Sequence, residues 1–185
     1  MGAIKFFIQG IKHFKEVGTF SRSSHFVGKT MTKDKHVDWE NARCIVELGG
    51  GDGPITKQIL QKLAPDGKLL CFEINKKFAE ELTEKFGHDK RITIINDDAK
   101  KLGQYIRDAG FQEADYVLSE IPFVIIPEDD IIEEAHKNLK KGGKFIQLHY
   151  SLAAKKRYER IFNNSEIDFV MLNVPPAFIH ICEKL

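Results

Sequence analysis

A run of glycines after an apolar segment constrains this chain more than any other feature. Residues 44–53 read CIVELGGGDG, so an apolar strand ends in Glu47 and continues into a loop of nearly pure glycine. Pro54 follows, and proline is favoured at the first position of a helix because its missing N–H needs no partner there. Apolar residues then recur at helical spacing over 55–63. A strand, a glycine loop and a helix in this order form a nucleotide-binding corner.

The charge of the loop indicates which nucleotide it binds. A dinucleotide fingerprint requires G-x-G-x-x-G/A, and counting from Gly49 the third position falls on Pro54. Glu47 and Asp52 would also repel a pyrophosphate. An acidic loop suits a ligand with an ammonium and a sulfonium, so the sequence predicts S-adenosylmethionine (SAM), with S-adenosylhomocysteine as its product. Glu47, Gly49 and Gly51 are expected to bind this cofactor.

Strands and helices alternate after this corner, which predicts a parallel, doubly wound sheet. Strands are expected at 44–48, 68–73, 91–95, 115–119 and 143–150, and helices at 54–63, 76–86, 99–109, 128–140 and 152–162. Two further strands, 167–174 and 177–183, have only Pro175 and Pro176 between them, so they must pair antiparallel. The expected fold class is α/β: a seven-stranded doubly wound SAM-dependent methyltransferase fold, mostly parallel, with a C-terminal antiparallel hairpin.

Acidic residues end the second and third strands. A carboxylate at Glu73 can accept hydrogen bonds from both ribose hydroxyls of a bound nucleoside, and Ile74 can pack on its adenine face. At the end of the third strand we favour Asp98 as the acceptor for the adenine amine, with the backbone N–H of Ala99 donating to the ring. Asp97 is the alternative, and either residue could instead be a helix cap.

Two segments depart from a known sequence pattern at informative positions. Residues 47–53, ELGGGDG, resemble E-L-G-P-G-T-G, with Gly50 and Asp52 as departures. Residues 119–123, SEIPF, resemble S-G-L-P-L, and Glu120 in place of glycine is the largest departure. Because ligands of open α/β sheets bind beyond the carboxyl ends of strands, the second segment is expected to border the transferred methyl group.

Three more segments complete the resemblance. Residues 145–150, FIQLHY, resemble F-V-Q-F-T-Y, and residues 173–177, NVPPA, match N-x-P-P-A. Residues 6–24 resemble an FF…VG…PSS stretch, although Arg22 stands where proline is usual. Over essentially its whole length the chain is therefore similar to the bacterial phospholipid N-methyltransferase family, relatives of the rRNA adenine dimethylases.

The resemblance implies SAM-dependent methylation of the phosphatidylethanolamine amine, up to three times, toward phosphatidylcholine. A neutral amine must be desolvated and aligned with the methyl carbon, and Glu120, His149 and Tyr150 are candidates to orient it or take its proton. Glu120, Phe123 or Tyr150 could stabilise the positive charge of the methylated nitrogen. The expected catalytic residues are Glu120, Tyr150 and Ser119, the last also touching the cofactor. The expected substrate-binding residues are Ile121, Pro122, Phe123, His149 and Tyr150.

Two other functions compete with this one. The first is N-methylation of another amine, such as an aminolipid, a small soluble molecule or an rRNA adenine. The second is SAM binding without catalysis. Against adenine, Ser119 stands where the dimethylases have Asn or Asp, and the chain lacks their appended helical domain. We therefore expect a phospholipid partner and no nucleic-acid partner. No metal site is expected, because the seven histidines are scattered.

The N-terminal region predicts a membrane contact. Residues 3–15 have the spacing of an amphipathic helix, and residues 1–36 are basic while the remainder is mildly acidic. A basic amphipathic helix with Phe and Ile on one face is typical of an interfacial anchor, although it could instead pack on its own domain. The residues expected at an anionic membrane are Lys5, Phe7, Ile8, Ile11 and Lys12. A second helix is expected from about Ser23 or Ser24 to Met31.

Size and composition set the remaining expectations. We divide the 185 residues into a helical arm or lid, 1–36, and a methyltransferase domain, 37–185. No segment approaches the ~18 apolar residues of a membrane span, and lysines interrupt the apolar N-terminus in a way unlike a signal peptide. The chain is expected to be a cytoplasmic monomer that associates peripherally with the inner face of the membrane.

Overall fold

A seven-stranded sheet forms the centre of the molecule. The computed structural model describes residues 26–121, 123, 129–152, 155–173 and 176–185. The strands are β1 (Cys44–Leu48), β2 (Lys68–Phe72), β3 (Ile92–Ile95), β4 (Ala114–Ser119), β5 (Leu139–His149), β6 (Glu166–Val170) and β7 (Ala177–Glu183). Their order is β3-β2-β1-β4-β5-β7-β6, with β1 to β5 parallel and β7 antiparallel to both of its neighbours. The predicted fold class is confirmed.

Helices cover both faces of this sheet. They are α1 (Pro54–Lys62), α2 (Lys76–Phe86), α3 (Leu102–Asp108, after a 3₁₀ turn at Ala99–Lys101), α4 (Asp129–Asn138) and α5 (Lys155–Phe162). Residues 26–31 are also helical, as predicted for the second N-terminal helix. They pack with α1 and α2 on one face, whereas α3, α4 and α5 pack on the other. All five residues of β1 are buried, as expected for a central parallel strand with both faces covered.

The boundary between α4 and β5 differs from the prediction. The sequence indicates a helix through residue 140, because cations are favoured in a last helical turn. In the structure α4 ends at Asn138 and β5 begins at Leu139. Leu139 is fully buried and pairs with Ala114, and a register shift before Tyr116 lets the pairing continue. Tertiary burial of one leucine therefore outweighs the local charge pattern.

The described part of the predicted arm packs on the domain. Val27 and Met31 belong to the same buried cluster as the first turns of α1. The predicted first helix, residues 3–15, lies outside the described residues. So do the residues expected at the membrane, which are Lys5, Phe7, Ile8, Ile11 and Lys12. The division at residue 36 stays a prediction.

The topology gathers six strand ends at one edge of the sheet. Strand β6 runs parallel to β5, because both are antiparallel to β7. The strands β1 to β6 thus all end at what we call the C-terminal edge. The loops that follow these strands are the ones that can share a ligand.

Replacing Gly50 tests how tightly the glycine loop packs on the sheet. A Cβ at this position would lie 2.5 Å from Sγ of Cys71 and 2.9 Å from Cδ1 of Leu82. We expect Gly50→Ala to lower the free energy of unfolding by about 1–3 kcal/mol through overpacking, measured by chemical denaturation. Adding Cys71→Ala should recover part of that loss. Wild-type stability of the single variant would contradict this account of the loop.

Candidate active site

A cavity opens at the C-terminal edge between the loops after β1, β2, β3 and β4. Its volume of about 310 Å³ falls in the range of small-molecule sites. It is lined by Gly49, Phe72, Glu73, Ile74, Asp97, Asp98, Ala99, Glu120, Ile121 and Ile131. Residues predicted from four separate strand ends are therefore brought to one cavity.

The glycine loop supplies the floor of the cavity near β1. Gly49, Gly51 and Gly53 have φ angles of +81°, +53° and +91°, which favour glycine strongly. The N–H groups of Gly49 and Gly50 donate to the carbonyl oxygen of Phe72 at 2.8 and 3.1 Å, which fixes the loop against β2. A Cβ on Gly49 would lie at an ordinary contact distance of 3.4 Å from Cγ1 of Ile121, so the positive φ angle is what favours glycine at this position.

Glu73 joins two loops through its carboxylate. Its Oε2 accepts from the N–H of Gly51 at 2.9 Å, and its Oε1 accepts from the N–H of Asn75 at 2.8 Å. Each carboxylate oxygen has a second lone pair, so both can still accept from a pair of hydroxyls. Ile74, next in the chain, is 75% exposed at the cavity, where an apolar face can pack on a planar ring.

The two aspartates after β3 have different partners. Asp97 binds Lys101 at 2.9 Å and accepts from the hydroxyl of Tyr105 at 2.9 Å. The hydrogen bond from Lys101 is the main reason that the pKa of Asp97 is lowered. Asp98 uses one oxygen, Oδ1, to cap the following turn, and Ala99 is the first residue of that turn. The first N–H groups of a helix have no acceptor within it. Because Asp98 keeps its second carboxylate oxygen, Oδ2, for a ligand and Ala99 has such an N–H group, the geometry is consistent with our preference for these two residues as the adenine contact.

Ser119 and Glu47 lie behind the cavity wall. Ser119 is fully buried, and its Oγ accepts from the N–H of Ile121 at 3.2 Å, so it fixes the turn after β4. Glu47 is 1% exposed and points toward α1, where its Oε2 accepts from Oγ1 of Thr56 at 2.8 Å. Burial raises the pKa of Glu47 to about 7. In this structure both residues shape the site from beneath instead of lining it.

Phe123 and His149 are also placed in the interior. The Phe123 ring is fully buried in the core, so it offers no aromatic face to a cation in the cavity. His149 is 2% exposed, and its Nε2 is hydrogen-bonded to the hydroxyl of Tyr158. Burial lowers the pKa of His149 to about 3, which keeps the ring neutral. Neither His149 nor Tyr150, the residue that follows β5, is among the residues that line the cavity. Pro122 lies outside the described residues.

Tyr150 connects the end of β5 to the loop after β6. It is half-buried, and its side chain is hydrogen-bonded to that of Asn173. Burial, and next the charge of Glu120, raise the pKa of the Tyr150 hydroxyl. Asn173 was not predicted as a functional residue, although the N-x-P-P-A pattern contains it.

The electrostatics of the site are dominated by carboxyl groups. Glu120 is half-buried at the cavity wall. Desolvation, and then the charges of Glu47, Asp52 and Glu73, raise the pKa of Glu120 well above its usual value. Such a concentration of acids attracts cations and repels anions. The site is therefore built for a positively charged ligand.

These features define a class of protein. The glycine loop can pass close to a ligand, Glu73 can hold ribose hydroxyls, Asp98 and Ala99 can hold an adenine edge, and the acids can balance a sulfonium. The residues present thus fit SAM, which supplies an electrophilic methyl group when bound. Fold and site together are those of a SAM-dependent methyltransferase.

Comparison with known proteins gives the family. Residues 45–143 match the methyltransferase domain family. The chain is 31% identical over 175 residues to the ornithine lipid N-methyltransferase of Singulisphaera acidiphila, covering 92% of this chain and 90% of that protein. The chain therefore belongs to the SAM-dependent methyltransferases, in the bacterial lipid N-methyltransferase family. The predicted family and the predicted cofactor are confirmed.

Solved structures show the same fold. An rRNA methylase from Streptococcus thermophilus superimposes with a TM-score of 0.61 at 16% identity, over 89% of this chain and 95% of that one. An O-methyltransferase from Bacillus cereus, in complex with S-adenosylhomocysteine, gives a TM-score of 0.67 at 17% identity, over 85% and 80%. At this identity the likeness concerns the fold alone.

Removing the Glu73 carboxylate should weaken SAM binding. We expect Glu73→Ala to cost ~1–3 kcal/mol of binding free energy, because it removes a charged acceptor of hydrogen bonds. Calorimetric titration with SAM measures this. Glu80→Ala on the exposed side of α2 is the matched control, and thermal unfolding checks that Glu73→Ala is folded. Unchanged affinity would remove the ribose assignment.

The burial of Glu47 predicts a pH-dependent stability. Its pKa is about 7 in the folded protein and 4.5 in a free side chain. Between these values the folded state binds more protons, so stability falls as pH rises. Relative to Glu47→Gln, the wild-type protein should lose on the order of 2–3 kcal/mol between pH 5 and pH 8. Denaturation at several pH values measures the difference, and a constant difference would show that Glu47 is charged throughout.

Proposed function

We propose that this N-methyltransferase acts on the amine headgroup of a membrane phospholipid. The observation that supports the proposal is Glu120, a half-buried carboxyl at the wall of the cofactor cavity whose charge also affects the pKa of Tyr150. A buried acid beside other acids is unfavourable unless a cation joins it. Amine substrates arrive as ammonium ions, and their methylated products stay cationic.

Each step of the reaction can be assigned to groups of this chain. The cavity can hold the amine in line with the methyl group, and such positioning supplies most of the advantage of an intramolecular reaction. Ionised Glu120 accepts the proton of the ammonium and leaves a lone pair on nitrogen for attack. The methylated product is again a cation, and the face of Tyr150 can contribute to holding it.

Two headgroups are supported by different observations. The sequence patterns resemble those of enzymes that methylate phosphatidylethanolamine, which makes it our first candidate. The relative from S. acidiphila is named for an ornithine lipid, which makes that lipid the second. Both headgroups present an amine to a protein at the membrane surface. Among the described residues, no helix is long and apolar enough to cross a membrane.

A direct comparison of acceptors tests the proposal. Purified protein and methyl-labelled SAM would be incubated separately with vesicles containing phosphatidylethanolamine, vesicles containing an ornithine lipid, free ethanolamine and ribosomal RNA. We expect label in lipid, with mass spectrometry giving the number of methyl groups added. Label confined to RNA or to the soluble amine would contradict the lipid assignment, and no transfer to any acceptor would contradict the amine chemistry.

The role of Glu120 can be tested by replacing it with glycine, the residue that the family pattern has at this position. Glu120→Gly should raise the apparent KM for the lipid amine about tenfold, equivalent to ~1.4 kcal/mol of lost attraction. SAM affinity should change much less, because Glu73 and Asp98 remain. Glu166→Gly, on the exposed start of β6, is a control for loss of an acid. Wild-type kinetics at every methylation step would rule out a role for Glu120.

A further inference from the structure

Three large apolar side chains are exposed in loops at the C-terminal edge of the sheet. Met171 and Leu172, in the turn after β6, are 73% and 68% exposed, and Leu152, just after β5, is 49% exposed. We call these three residues the edge patch. Single exposed hydrophobics are ordinary in soluble proteins, but a group beside a ligand site indicates an interaction surface.

The topology places the edge patch at the same edge of the sheet as the cavity. Pairing of His149 with Phe178 and of Val170 with Ala177 puts the ends of β5 and β6 at the same edge of the sheet. The hydrogen bond between Asn173 and Tyr150 then ties the turn after β6 to a hydroxyl that is influenced by the charge of Glu120. The patch and the proposed amine site are therefore neighbours.

Positive charge flanks the edge patch. Helix α5 begins with Lys155, Lys156 and Arg157, and its first turn contains no acid. Lys155 contacts Glu159 at 3.4 Å and Arg157 contacts Asp129 at 2.9 Å, whereas Lys156 is exposed. Cations are unfavourable in a first helical turn, so this charge does not serve the helix itself. Apolar side chains next to basic ones are typical of a surface that enters an anionic bilayer.

The N-terminal region joins the domain at the same edge. A Cβ on Gly28 would lie 3.5 Å from the carbonyl oxygen of Pro54, the first residue of α1. Phe26, at the start of the described chain, is 39% exposed. The described chain therefore begins close to the edge of the sheet at which the cavity opens.

We propose that the edge patch, flanked by the start of α5, docks on the surface of an anionic lipid bilayer, so that the cavity opens toward the lipid headgroups. This inference rests on the proposed function. It gives the chain a membrane contact within its folded domain. A lipid amine can then enter the cavity while its acyl chains stay in the bilayer.

The test compares two edges of the same molecule. The double variant Met171→Asp, Leu172→Asp should bind vesicles of phosphatidylglycerol and phosphatidylethanolamine about tenfold more weakly than wild type in a flotation assay. Leu185→Asp is the matched control, because Leu185 is 71% exposed after β7, at the opposite edge. It should bind as wild type does.

Charge variants test the basic start of α5 in the same flotation assay. Lys156→Glu should weaken binding several-fold, and the loss should shrink as salt rises. Lys141→Glu, at the opposite end of β5, is the control. Equal binding of the double variant and wild type would overturn the proposal. A lower melting temperature of the double variant with unchanged binding would also overturn it, since the patch would then be covered by the chain itself or by a second copy.

A turnover measurement separates this proposal from the proposed function. The double variant should keep its activity on a short-chain lipid amine dispersed as monomers and lose it on vesicles. Loss on both would overturn the docking role. If wild type methylates no lipid amine in either form while the double variant still binds vesicles more weakly, the proposed function fails and the docking surface stands.

Discussion

Carboxyl groups converge where the central strands end, and the rest of the site depends on how their charge is balanced. Backbone N–H groups of Gly51 and Asn75 bind one of these groups, Glu73, directly. Burial raises the pKa of Glu47 and of Glu120, so protonation of these two carboxyl groups is favoured over leaving both charged when no cation is bound. Cofactor and amine both arrive as cations, and the acids can bind both before the amine gives up its proton and accepts the methyl group.

The surrounding structure keeps this edge of the sheet rigid. Gly50 packs so closely on Cys71 that no side chain fits there, and the amide of Gln147 donates to the carbonyl oxygen of Ile121 at 2.9 Å. Ser119 holds the same turn from below. Residues buried behind the wall thus serve the site by fixing the loops that line it.

Sequence reasoning found the strands because fully buried parallel strands form short apolar runs. It placed Glu73 and Asp98 at one cavity because both lie in the loops just after such runs, whereas their roles toward a cofactor stay predictions. It could not assign which way a side chain points at the end of a strand, because packing against neighbouring elements decides that orientation. Glu47 turned toward Thr56 and His149 toward Tyr158 for this reason. Asn173 was missed because its partner is distant in sequence, and α4 ended early because burial of Leu139 cannot be deduced from a local pattern.

Proton release on cofactor binding tests the central claim most directly, namely that acids at the C-terminal edge are neutralised by a cation. Calorimetric titrations near neutral pH, in buffers of different ionisation enthalpy, count the protons. SAM should release more protons than S-adenosylhomocysteine, whose sulfur is neutral, and Glu120→Gln should reduce the release. Equal proton counts for the two ligands would contradict the account.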